Sequence, residues 1–140
     1  MKKTLLTVAL MAFAAFATTA SAEQLLFTKS NAKGGASSVA IDYVSDGQSV
    51  GVQIEILVPG KAQVDLSRFA KDLPKGFVFE HGLVDGKLIL TVVNDNGVTF
   101  PKGIVSLGTI RSIGGSGELV LDRLESVDAN GQILNVETVQ

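Results

Sequence analysis

Apolar and polar residues alternate along most of this chain, and the period of the alternation is two. In "SVGVQIEILV" the residues Val50, Val52, Ile54, Ile56 and Val58 hold every second position, with Gly51, Gln53 and Glu55 between them. Such spacing puts the apolar set on one face of a strand and the polar set on the other. "SVAIDY" does the same more briefly, with Val39, Ile41 and Tyr43 sharing a face. Further short runs follow: "AQVDL", "GFVFEH", "KLILTVV", "GIVSLGTI", "ELVLDRLESV" and "QILNVETV". "KLILTVV" is apolar at consecutive positions, as a central strand covered on both sides would be. Turn residues separate the runs at Asp46-Gly47, Pro59-Gly60, Asp85-Gly86, Asn94-Asp95-Asn96-Gly97 and Asn130-Gly131. The Asp-Gly and Asn-Gly pairs favour tight hairpins, because both residues adopt positive φ at little cost. "SRFAKDL", residues 67–73 before Pro74, leaves room for one short helix. The pattern predicts an all-β fold, a single antiparallel β-sandwich of about nine strands over residues 38–140.

The start of the chain breaks this pattern. Lys2 and Lys3 precede the apolar stretch "TLLTVALMAFAAFATTA", and Ala20-Ser21-Ala22 supplies the small residues of a cleavage site. The stretch is shorter than the ~18–20 residues that span a bilayer. Residues 1–22 are therefore expected to be a cleaved signal peptide of bacterial type, leaving no transmembrane segment. Residues 23–37, which include most of the small and polar run "KSNAKGGASS", are expected to form a flexible lead-in. The expected location is periplasmic or extracellular.

Composition narrows the chemistry. Without residues 1–22 the chain has 118 residues, enough for one domain that buries about two-thirds of its unfolded surface. It then carries ten Lys and Arg against 14 Asp and Glu, a formal charge of −4, with the bases spread singly. Nucleic acid is excluded as a partner, since tracking phosphates takes clustered bases. The absence of cysteine removes disulfides, thiolate ligands and a lipid-bearing N-terminal cysteine. His81 is the only histidine, so no histidine-based metal site can be assembled. A membrane barrel would need strands of about 9–11 residues with aromatic girdles. Residues 23–140 offer mostly shorter runs, five Phe, one Tyr and no Trp.

Two stretches raise the question of calcium. A loop of the EF-hand type needs Gly at its sixth position and a bidentate Glu at its twelfth. Counting from Asp128 those places hold Ile133 and Val139, and from Asn94 they hold Thr99 and Val105. Both stretches are expected to be hairpin turns. "GGSG" at 114–117 precedes a strand rather than a helix, so it is not a phosphate cradle. No two of the acids stand out as a glycosidase pair. The expectation is a protein that is not an enzyme and holds no cofactor or metal. Among the rings, Tyr43 and Phe79 fall on alternating positions that suit the core, and Phe69 suits the buried side of the short helix. Phe100, beside Pro101 and between two turns, is the candidate exposed ring. With Asn94 and Asn96 of the preceding turn it makes the candidate binding face.

Three features carry a family resemblance. An early strand holds Gln53 and Glu55 after an apolar start. "FPKG", Phe100 to Gly103, leads into "IVSLGTI". The closing pair has the "Asp-x-Asn-Gly-x-x-Leu-x-Val" spacing from Asp128 to Val136. This order of elements, from about Ser38 to Val139, resembles the cohesin-like modules of bacterial exported proteins, within the wider carbohydrate-binding-like superfamily. The resemblance implies a nine-stranded, jelly-roll-like sandwich whose work is non-enzymatic recognition of an exported or envelope protein, as cohesins bind dockerin modules. The alternative function is a carbohydrate-binding module acting on a cell-surface or environmental glycan.

Overall fold

A computed structural model describes residues 23–31, 37–115 and 117–140. The expected signal peptide at 1–22, residues 32–36 of the expected lead-in, and Ser116 lie outside the described residues. Ten strands form: β1 (Gln24–Asn31), β2 (Ser37–Ser45), β3 (Ser49–Leu57), β4 (Gln63–Phe69), β5 (Phe77–Val84), β6 (Lys87–Asn94), β7 (Gly103–Ile113), β8 (Val120–Asp128), β9 (Ile133–Leu134) and β10 (Glu137–Val139). They make two five-stranded sheets, in the orders β10-β1-β2-β7-β4 and β5-β6-β3-β8-β9. The pairing of β1 with β10 is parallel, and the other pairings are antiparallel. The expected sandwich is therefore present.

The core lies between the sheets and follows the predicted alternation. Leu25 and Phe27 of β1, Val39, Ile41 and Tyr43 of β2, and Val105, Leu107 and Ile110 of β7 face Val52, Ile54 and Ile56 of β3 and Leu88, Leu90 and Val92 of β6. Burying each large apolar side chain contributes about 1.5–3 kcal/mol, so a core of this size needs no cross-link. One predicted position departs. The register of β3 against β8 shifts between Ser49 and Gly51. Val50 leaves the core set and joins Val127, Val93 and Ile133 in a small cluster. That cluster sits on the outer face, because Val93 follows the core residue Val92 on a pleated strand.

Several expectations are corrected. The first is the short helix at 67–73. Ser67 to Phe69 complete β4, and no described residue is helical. The strand persists because Arg68 and Phe69 pair with Thr109 and Gly108 of β7. A Cβ on Gly108 would meet Arg68 O at 2.5 Å and Phe69 Cα at 2.6 Å, so glycine alone admits the approach. Ala70 then turns left-handed, with φ of 60°, and donates its N–H to Leu107 O at 2.7 Å.

The second correction concerns residues 23–31, which are not a flexible lead-in. Gln24 to Asn31 pair with β2 along their whole length. Leu25, Leu26 and Phe27 are the apolar residues of this strand and the rest of it is polar, which leaves the alternation too short to mark its length. Third, two expected hairpin turns are crossovers: Asp46-Gly47 and Asn94–Gly97 each follow a strand whose successor lies in the other sheet. Fourth, "QILNVETV" is not one strand. It divides into β9, paired to β8, and β10, paired to β1, so it passes from one sheet to the other.

Candidate recognition face

The three residues expected to bind do not form a surface together. Phe100 is fully buried, its ring stacked 4.1 Å from Phe77 and tilted 5.3 Å from Tyr43. Its N–H donates to Ser49 O at 2.8 Å, which pins the crossover over the end of the sandwich. Phe100 cannot offer its face to a sugar, which corrects the expectation of an exposed ring. "FP" beside turns looked like a surface signal, but the crossover carries the ring inward. Asn94 is also buried, and its Oδ1 accepts N–H bonds from Asn96 (2.9 Å) and Val98 (3.3 Å). It shapes the turn. Asn96 is exposed at the tip.

The run from Asp128 is a hairpin turn. Asp128 Oδ1 accepts from the N–H groups of Asn130 and Gln132, both at 2.9 Å, and Gly131 N–H donates to Asp128 O at 3.0 Å. An aspartate used this way mimics a turn's own backbone bonds. His81 is exposed, with its ring stacked 5.3 Å from Phe79. Among the described residues no cluster of three His, Cys, Asp or Glu could hold a metal.

A buried polar network ties the two sheets at one end. Glu23 is only 1% exposed. Its carboxyl group bonds the Tyr43 hydroxyl and accepts from the N–H groups of Asp46 (3.3 Å), Gln48 (3.4 Å) and Ser49 (3.3 Å). Tyr43 Oη lies 2.8 Å from Ser126 Oγ, and Ser126 Oγ donates to Ser49 Oγ at 2.7 Å. Burial pushes the Glu23 carboxyl above its ordinary range, and the Asp46 carboxyl beside it pushes the same way. Burial and then the Glu23 carboxyl drive the Tyr43 hydroxyl far upward too. The network joins β2, β3 and β8 across the two sheets. Glu23 also accepts Glu137 N–H on its carbonyl at 3.1 Å, which helps hold β10 in place.

The outer face of β5-β6-β3-β8 is the ordered polar surface of the molecule. Register aligns Glu80, Thr91, Gln53 and Glu125 in one row across the four strands, and Gly82, Ile89, Glu55 and Arg123 in the next. Lys87 Nζ bridges Glu55 at 3.3 Å and Asp122 at 3.0 Å. Arg123 reaches Glu55 at 3.9 Å and Glu125 at 2.9 Å. The Asp122 and Glu55 carboxylates hold the Lys87 ammonium above its ordinary value. Half-buried Val78, Ile89 and Val93 sit among these charges, and Leu57 and Val84 are exposed at the edge of the same face. Contrary to the expectation for "KLILTVV", among the described residues no second layer covers this side of β6; neighbouring side chains bury Thr91 and half-bury Ile89 and Val93. The sequence placed these acids on the solvent side but could not pair them. Pairing depends on strands 30 to 70 positions apart.

No protein-family model matches the chain, and no curated protein matches it by sequence. Solved structures do. A non-cellulosomal cohesin from the archaeon Archaeoglobus fulgidus superposes with a TM-score of 0.63 at 15% identity, over 83% of this chain and 85% of that one. A type II cohesin of Bacteroides cellulosolvens gives 0.59 at 14% identity, over 84% and 95%. A type II cohesin solved in complex with an X-dockerin, from Acetivibrio cellulolyticus, gives 0.59 at 10% identity, over 84% and 95%. The chain has a cohesin-like fold.

Proposed function

We propose that this protein is an exported, non-enzymatic recognition module that docks a protein partner on the outer face of β5-β6-β3-β8. The observation that carries this reading is the face itself. Three of its strands, β3, β6 and β8, hold paired charges in fixed geometry beside half-buried Val78, Ile89 and Val93. Fixed charges around an apolar centre favour specific docking, because a wrong partner leaves some of them desolvated and unmatched. The resemblance to a cohesin solved with its dockerin supports a protein as the ligand. Export is supported by Lys2, Lys3, the apolar stretch and Ala20-Ser21-Ala22.

The test is a comparison of captures. Wild-type protein immobilised against an envelope extract retains a partner that the double variant Lys87→Glu/Arg123→Glu releases. Only 11% of the Glu55 side chain that both cations pair with is exposed, so the fold of the variant is checked by unfolding before capture is compared. Equal capture by both proteins, or no capture by either, contradicts the reading. Fractionation checks export: the processed chain is expected outside the cytoplasm, with Glu23 as its first residue.

A further inference from the structure

Among the described residues the sandwich has four edge strands: β4, β5, β9 and β10. An edge offers unpaired N–H and C=O groups to other chains, and proteins blunt edges by shortness, bulges or charge. β9 has two residues and β10 has three. β4 loses register against β7 between Asp65 and Arg68 and sets both charges along its edge. β5 uses neither shortness nor a bulge. It runs eight residues in unbroken register with β6 and ends in Leu83 and Val84, which are 58% and 57% exposed.

The turn after β5 fixes which backbone groups point outward. Asp85 and Gly86 have φ of 52° and 77°, the signature of a two-residue type I′ hairpin. Its flanking residues, Val84 and Lys87, form a hydrogen-bonded pair, and pairs alternate from there. The N–H and C=O groups of Val84, Gly82, Glu80 and Val78 therefore face β6. Those of Leu83, His81, Phe79 and Phe77 face away. Phe77 N–H is already bound to Pro74 O at 3.1 Å. Leu83, His81 and Phe79 remain, and no described strand pairs with them on that side.

We propose that the protein self-associates as a two-fold dimer by antiparallel pairing of its β5 edges, with His81 at the axis. Placing His81 opposite His81 of the second copy sets Phe79 opposite Leu83 and Val78 opposite Val84, each twice. All three outward residues of each copy find partners. Leu83 and Val84 are covered by apolar side chains. Each Glu80 lies opposite Gly82, where a Cβ would meet nothing within 4 Å. The register centred on Glu80 is worse on two counts. It opposes the two Glu80 carboxylates directly, and it draws on the N–H of Phe77. The contact is isologous, so it closes at two copies, and it leaves the outer face of β6, β3 and β8 open.

The chain contains no cysteine, which makes the register testable by disulfide formation. Val78 and Val84 of opposite copies would form non-hydrogen-bonded pairs with Cα atoms about 4.5 Å apart, within disulfide reach. Within one chain they are about 20 Å apart. Mild oxidation of the double variant Val78→Cys/Val84→Cys is expected to give a covalent dimer, while either single variant gives none. Sedimentation of the wild type is expected to show a dimer that dissociates on dilution. Leu83→Lys, at an exposed position that spares the fold, is expected to weaken self-association about ten-fold or more. A wild type that sediments as a monomer at its highest soluble concentration overturns the proposal. So does association unchanged by Leu83→Lys, or a double variant that stays uncross-linked.

Discussion

Glu23 shows how much one residue decides. It is the point where the start of β1, the β2–β3 crossover and Ser126 of β8 meet. Removing its carboxyl takes the acceptor from three backbone N–H groups, that of Ser49 buried, and leaves the Tyr43 hydroxyl with Ser126. Glu23→Ala is expected to cost about 2–3 kcal/mol in denaturant unfolding. The protonation state matters as well. The Tyr43 hydroxyl donates to the carboxyl and so favours its ionised form, while burial and the neighbouring Asp46 carboxyl favour the protonated form and prevail.

The sign of the pH effect follows from the burial that raises the Glu23 carboxyl. The folded state binds a proton more tightly at Glu23 than the unfolded state does, so this contribution is full below the ordinary glutamate range. It is lost as pH rises through the raised value. Glu23→Gln is expected to flatten that fall in stability, read as denaturant midpoints across acid to neutral pH. A slope identical to the wild type contradicts the assignment. Tyr43 was legible as a core residue from the alternation of β2. Glu23 was not, because its partners lie 20 to 103 positions away and no local pattern announces them.

At the scale of elements, hydrophobic period located strands well and connections poorly. β3 and β6 were plain, since Val52, Ile54 and Ile56 alternate and "KLILTVV" is continuous. A turn dipeptide says only that the chain bends. Asp85-Gly86 bends within a sheet, and Asp46-Gly47 bends between sheets. Residues 67–69 read as helical because local propensity is silent about β7, whose Gly108 draws β4 close. That approach gives a sharp prediction. Gly108→Ala places a Cβ against Arg68 O at a φ of 121°, so it is expected to destabilise the protein by about 1–3 kcal/mol or more. A thermal midpoint within error of the wild type would show that β4 can move aside. The exchange of "QILNVETV" between sheets was equally hidden, since both halves alternate alike.

At the scale of the whole molecule, two sheets enclose an apolar core and leave one outer face built from charges in register. The sandwich was readable because alternation and turns recur along most of the chain. The face was not, because Glu55, Lys87, Asp122 and Arg123 come together only once β3, β6 and β8 are side by side. The central claim is that this face docks a protein. Carboxyl footprinting of the purified protein with and without its captured partner tests it most directly. The account predicts that Glu80, Asp122 and Glu125 lose labelling in the complex, while Asp42 and Asp65 of the opposite sheet are labelled as before. Protection of Asp42 and Asp65 with Glu80, Asp122 and Glu125 unchanged would contradict it.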